Sequence, residues 1–219
     1  MKEIIRLCLV LTLIGAVCAA VMAFVDQKTK EPIEKSLAAE KMDAVKVVLP
    51  PCDNDLAKST VTINDPDLQT ELTFYVGRQG SVTVGAAFTT VARNGYGGDI
   101  EIMIGADTAG VVTGVEILRH AETPGLGAKI TTPMFKGQFI GKSITNPSDW
   151  SVMKDGGTFK QITGATISSR AVTTAIANGL EFLDAHRAEI FGAREAGAAG
   201  TPAGGKTCEP AKPVPPGGR

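Results

Sequence analysis

Thr163-Gly164-Ala165-Thr166, continued by Ile167-Ser168-Ser169-Arg170-Ala171-Val172, sets several hydroxyl groups in a turn of small residues. Beyond it, Val172, Ile176, Leu180, Leu183 and Ile190 recur at helical spacing and form one apolar face. Ser168 and Ser169 are the candidate N-cap acceptors, and Gly164 lets the backbone turn sharply ahead of them. A helix start offers unpaired N–H groups and the positive end of the macrodipole, which together suit a phosphate. Two readings follow: an ordinary capped helix, or a phosphate held at the helix start or joined to the Thr166 hydroxyl. A threonine hydroxyl is a poor nucleophile until a base takes its proton. No such group stands near Thr166, since His186 lies far down the helix. Self-catalysed attachment is therefore not expected.

Two upstream segments have turn chemistry of their own. In His120-Ala121-Glu122-Thr123-Pro124-Gly125-Leu126-Gly127-Ala128-Lys129, Pro124-Gly125 predicts a type II turn, with Gly125 at the positive φ. Leu126 would project from that loop, and Gly127 would let backbone N–H groups approach whatever lies against it. A plain Pro-Gly surface turn is the simpler alternative. In Asn94-Gly95-Tyr96-Gly97-Gly98-Asp99-Ile100, Tyr96-Gly97-Gly98 reads as a turn feeding a strand. His120 is one of two histidines and has no second ligand beside it, so a structural hydrogen bond is favoured over acid–base or metal chemistry. No catalytic residue and no metal site are assigned.

The elements that would position these segments form an α+β domain. Residues 71–76, 82–91, 100–105 and 111–118 read as strands, rich in Val, Ile, Thr and Phe and broken by glycines. They predict a twisted antiparallel sheet, with Ile100, Met103, Val112 and Val115 as core positions and a helix over 168–191 covering one face. Residues 30–49 predict a helix with Pro32 in its first turn, ending at Pro50-Pro51. Leu7 to Val25 is an uncharged apolar run of roughly 19 residues, close to a bilayer span. An uncleaved anchor is favoured over a signal peptide, whose apolar region is usually about 7–15 residues. The expected organisation is a membrane anchor over 1–27, a helical stalk over 28–51, a folded domain over 52–191 and a disordered Gly/Ala/Pro-rich tail over 192–219.

Composition excludes several function classes. With 22 basic and 23 acidic residues and no basic stripe, the chain does not read as a nucleic-acid binder. Its four cysteines suit neither haem attachment, an iron–sulfur cluster nor zinc, while Cys52 and Cys208 remain able to pair. No G-x-G-x-x-G turn is present. Lys2 and Arg6 on one side of the apolar run face Lys28, Lys30 and Lys35 on the other, so charge does not set orientation.

Taken in order, the three segments resemble the FMN-binding domain family in which flavin mononucleotide is attached covalently, as a phosphoester to the last Thr of an S/T-G-A-T motif. With the apolar N-terminal run and Thr29-Lys30-Glu31-Pro32-Ile33, the pattern over about residues 1–191 is similar to the G subunits of Rnf-type ion-translocating complexes. The C subunits of sodium-translocating NADH:quinone reductases are related. The resemblance implies Thr166 as the covalent FMN site, with Thr163, Gly164, Ala165, Glu122, Thr123, Leu126 and Gly127 around the cofactor. Leu126 would meet the ring, and Glu122 and Thr123 the ribityl hydroxyls or ring edge. It also implies a flavin transferase, using FAD and a divalent metal, that modifies Thr166. Other membrane and redox subunits are implied as partners. The location implied is a single-pass anchor in the bacterial inner membrane with the main domain on the periplasmic side. The family pattern has Asp three residues before the motif, whereas this chain has Lys160, which could pair with a bound phosphate; the nearest upstream acid is Asp155. The implied role is an electron-transfer subunit without independent catalysis. Rival roles are a regulatory or scaffold module, and a stand-alone reductase, for which the chain has no room.

Overall fold

The computed structural model describes residues 2–65 and 70–192. Two compact units are present, divided between Lys41 and Met42. A single helix, α1 (Lys2–Val48), runs from the first unit into the second. It is long and apolar enough to cross a membrane. Large side chains along it, such as Leu11 and Met22, are exposed.

Pro32 lies inside α1 and not at the start of a separate helix as expected. The ring removes one N–H from the ladder and leaves the Lys28 carbonyl without its usual partner. On the preceding turn the Thr29 hydroxyl donates to the Val25 carbonyl at 2.9 Å and to Asp26 at 3.3 Å. The helix stops at Val48, where Pro50-Pro51 disfavours further helical backbone.

The second unit is built on five antiparallel strands in sequential order: β1 (Thr60–Asp65), β2 (Thr70–Gln79), β3 (Val82–Ala92), β4 (Ile100–Asp107) and β5 (Val112–Arg119). Four were expected, and β1 is an addition. Five further helices or turns follow: a 3-10 turn over Gly127–Thr131, α2 (Pro133–Gly137), a second 3-10 turn over Met153–Asp155, α3 (Thr166–Ala185) and α4 (Arg187–Gly192). The helix expected over 168–191 is thus two helices. The chain leaves helical backbone at His186, with φ −108° and ψ 16°. That bend returns Ile190 to the core and lets the Arg187 guanidinium donate to the Ala109 carbonyl at 2.9 Å. Gly192 closes α4, and the rest of the expected tail lies outside the described residues, as does Cys208.

Alternation along each strand separates two buried faces. Phe74, Phe88, Ile104 and Val115 are paired neighbours in one row across the sheet, in the core shared with Val172, Ile176, Leu180 and Leu183 of α3. Each such large side chain contributes about 1.5–3 kcal/mol by burial. The adjacent row, Tyr75, Ala87, Gly105 and Gly114, faces the other way. Its small residues admit the last turn of α1, and Val45, Val48, Leu49 and Cys52 pack there with Ala87 and Met103. Approach is so close that a Cβ on Gly114 would lie 2.7 Å from the Val48 Cα. Thr113 fixes the position by donating its hydroxyl to the Val48 carbonyl at 2.6 Å. The expected core positions Ile100, Met103, Val112 and Val115 are all buried.

Replacing Gly114 by Val should force the α1 end off the sheet and lower stability by about 1–3 kcal/mol. Urea unfolding followed by Trp150 fluorescence measures this, and an unchanged midpoint would show that the contact adds nothing to stability.

Candidate functional site

All three motif segments lie at the ends of strands or helices. Residues 94–99 lead into β4, residues 120–126 follow β5, and residues 160–165 open α3. They meet at one buried side chain. Glu122 is 5% exposed, and its Oε2 accepts the Ser168 hydroxyl at 2.7 Å. Its Oε1 accepts the Gly97 N–H at 3.2 Å. The Glu122 N–H in turn donates to His120 Nδ1 at 3.2 Å, giving His120 a structural bond. Space around the carboxyl group is filled to the limit: a Cβ on Gly127 would stand 2.5 Å from Glu122 Oε2, and one on Gly95 2.8 Å from Oε1.

The loop before α3 is held from within. Ala165 N–H bonds the Ile162 carbonyl at 3.0 Å across a turn whose third residue, Gly164, has φ 82°. Ser169 Oγ accepts the Ile162 N–H at 3.0 Å and donates to the Ala165 carbonyl at 2.9 Å. The expected N-cap role of Ser168 and Ser169 is therefore corrected. Ala165 occupies the cap position with no side-chain bond, because one serine is engaged by Glu122 and the other by the preceding loop. The first backbone N–H bound at the helix start is that of Ser169, to Ala165. Those of Thr166, Ile167 and Ser168 have no intrahelical acceptor.

Thr166 is half-buried on the first turn of α3, and its hydroxyl bonds no group among the described residues. Thr163 and Gly164 are exposed and Ala165 is buried. The expected turn at Pro124-Gly125 is present: Leu126 N–H bonds the Thr123 carbonyl at 3.2 Å, and Gly125 has φ 76°. Leu126 is 45% exposed, and its Cδ2 would lie 3.2 Å from a Cβ on Gly164. The second and third segments are thus in contact. Thr123 is exposed and Gly127 is buried against Glu122. Tyr96 is 70% exposed on the turn that delivers Ile100 into β4.

Two clefts flank this assembly. One, of about 440 Å³, lies between Arg93 and Asn94 and the α3 residues Ile167, Arg170, Thr174 and Asn178. The other, of about 570 Å³, runs between α2 and residues 158–162. Both fall in the size range of small-molecule sites, about 300–1,000 Å³. Arg170 is paired through two nitrogens with Asp155. The hydrogen bond from Arg170 holds the Asp155 carboxyl below the ordinary aspartate range, and the same bond raises Arg170. This pair links positions 15 residues apart on different elements and left no signal in the local sequence. Among the described residues no group of three or more His, Cys, Asp or Glu side chains is placed to hold a metal.

Comparison with known proteins gives the same segments a common context. Residues 95–181 match the family described as FMN-binding domain, and residues 1–48 match the family described as RnfG N-terminal region. The G subunit of the ion-translocating oxidoreductase complex from Aliivibrio fischeri is 35% identical over 191 residues, covering 83% of this chain and 91% of the relative. Its counterpart from Cronobacter sakazakii is 39% identical over 173 residues, covering 76% and 83%. Among solved structures, the C subunit of the Na(+)-translocating NADH-quinone reductase from Parabacteroides distasonis aligns with a TM-score of 0.46 at 22% identity, over 65% of this chain and 69% of that one.

Two measurements probe the geometry directly. Glu122→Ala leaves the Ser168 hydroxyl and Gly97 N–H unpaired, and should lower unfolding stability by about 1–3 kcal/mol, read by urea denaturation. Because the folded Asp155 value is depressed, the stabilising contribution of the Asp155–Arg170 pair is present above the ordinary aspartate range and is lost as pH falls through the lowered value. Carboxyl NMR should show Asp155 titrating low in the natural chain and returning to the ordinary range in Arg170→Gln.

Proposed function

The chain belongs to the family of G subunits of ion-translocating oxidoreductase complexes, and from that premise we propose that it carries FMN covalently on Thr166 and relays electrons inside such a complex. It is an FMN-binding, electron-transport subunit, and other subunits of the complex are its partners. The observation that carries the covalent reading is the half-buried Thr166 hydroxyl, unengaged on the first turn of an uncapped helix. Free N–H groups at that helix start favour a phosphate ester at Thr166.

The residues present fit FMN. Thr163, Gly164 and Ala165 form the tight loop that leads into the half-buried Thr166. Leu126, exposed beside Gly164, offers an apolar surface to the ring face. The exposed Thr123 hydroxyl is available to ribityl oxygens or to the ring edge. Glu122 and Gly127 act one layer below: their close packing fixes the Leu126 loop against the α3 start. When bound, FMN supplies one- and two-electron transfer, and the protein supplies attachment and orientation.

Among the described residues no side chain hydrogen-bonds the Thr166 hydroxyl, so attachment is assigned to a separate flavin transferase. In that reaction the Thr166 hydroxyl would give its proton to a base of the transferase, its oxygen would bond to the FMN phosphorus of FAD, and the phosphoanhydride bond would break with AMP leaving. The apolar part of α1 anchors the subunit as a single pass in the bacterial inner membrane, with the domain on the periplasmic side. There a covalent bond prevents loss of FMN. With one helix of spanning length among the described residues, the ion path is assigned to other subunits. A scaffold role without electron relay is the second reading, and Lys160 in place of an acid is the feature that favours it.

Expressed with its native transferase, the natural chain should give one flavin-fluorescent band in a denaturing gel and an intact mass raised by FMN less one water. Thr166→Ala should lose both. A dark natural band with active transferase would refute the covalent reading.

A further inference from the structure

We propose that the lysine-rimmed cleft beside the Thr166 loop is the docking surface for an acidic segment of another subunit of the same complex. The proposal rests on the relay reading for its purpose and on the local chemistry for its site. Lys129, Lys142 and Lys160 line the cleft of about 570 Å³ between α2 and residues 158–162. None of the three has an ion-pair partner among the described residues. Neighbouring cations behave differently: Lys136 on α2 is held by Glu116 at 2.6 Å, and Arg170 by Asp155. Among the described residues no carboxylate lines the cleft, and nearby Asp149 accepts the Thr158 hydroxyl at 3.0 Å.

Three uncompensated like charges on one small surface raise the local potential and attract an acidic partner. The whole chain is nearly neutral at a net −1, so this concentration is local. Met134 stands at the edge of the cleft 89% exposed, an apolar anchor beside the charges. Lys129 and Lys160 are exposed and Lys142 is half-buried; with the projecting Met134 they suit a macromolecular surface better than a small-molecule pocket, whose polar groups are enclosed.

The surface is preformed. Gln138 accepts the Lys160 N–H at 2.8 Å and donates to the Lys160 carbonyl at 3.3 Å, joining the two walls. Beneath them Phe159 packs on Phe139 and Trp150, with ring centroids 4.9 Å and 4.8 Å apart. Val112 of β5 donates its N–H to the Lys142 carbonyl at 2.8 Å. Ile162, also in the lining, is bonded to Ser169 of α3, so an occupant of the cleft sits next to the loop that presents Thr166.

The test uses the assembled complex in native membranes, with Met134 replaced by the photo-crosslinking residue p-benzoylphenylalanine. Irradiation should join this chain to an Asp/Glu-rich segment of another subunit. Combining Lys129→Glu, Lys142→Glu and Lys160→Glu should cut the yield roughly tenfold, since like-charge contact opposes docking. High salt should weaken the adduct by screening, and the three Lys→Arg replacements should preserve it. Adducts only with lipid, only with a small molecule or with nothing would overturn the proposal, as would a yield indifferent to charge reversal. Flavin fluorescence of the same gels is read separately. A dark band with charge-dependent adduct removes the covalent FMN reading but leaves the docking surface, and the converse removes only the docking surface.

Discussion

A buried carboxyl group that must find donors organises this molecule. Glu122 is almost wholly removed from water, and a polar group so placed costs several kcal/mol unless it is hydrogen-bonded. Its donors come from elsewhere in the chain, Ser168 on α3 and Gly97 on the turn before β4. Satisfying one side chain therefore brings together three loops that local sequence cannot hold in place. The glycines at 95 and 127 follow from the same constraint, since the carboxyl group occupies the room that their side chains would need. Apolar burial then locks the arrangement, because α3 lies across β3 and β4 with Ile176 and Leu180 in the common core.

The sheet has two jobs, one on each face. Towards α3 it presents large apolar side chains in register, which fixes the helix start and the loop in front of it. Towards α1 it presents Ala87, Gly105 and Gly114, where backbone replaces side chain as the packing surface. The helix that contains the apolar anchor run thus ends inside a folded core. Pre-organisation of the loops and fixing of the α1 end are consequences of a single five-stranded platform.

Much of this was legible in the sequence because it depends on short-range patterns. Glycines bounding Val/Ile/Thr-rich runs marked β2 to β5, and Pro124-Gly125 specified its turn. β1 was missed because only Val61 and Ile63 are apolar in its six residues, and its identity depends on pairing with β2. Pro32 suggested a helix start, yet the structure tolerates it mid-helix. Reading Ser168 and Ser169 as caps failed for an instructive reason: capping logic counts only the donors of the serine's own helix. Here Glu122 lies 46 residues upstream of Ser168 and takes its hydroxyl, while Ser169 turns back to Ile162. The grouping of the three motifs was visible, but Glu122 was expected at the ribityl hydroxyls or ring edge, and its bonds to Ser168 and Gly97 left no local signal.

The burial of Val45, Val48 and Leu49 bears on where the molecule can be divided. Pro50-Pro51 is the natural place to cut if a water-soluble fragment is wanted, since it ends the long helix. A fragment beginning there would lose the lid over Ala87 and Met103 and would bare an apolar strip on the back of its sheet. Such a strip invites self-association. Secretion or crystallisation of the domain would be served by starting near Met42, where the second compact unit begins, so that the final turn of α1 travels with the sheet.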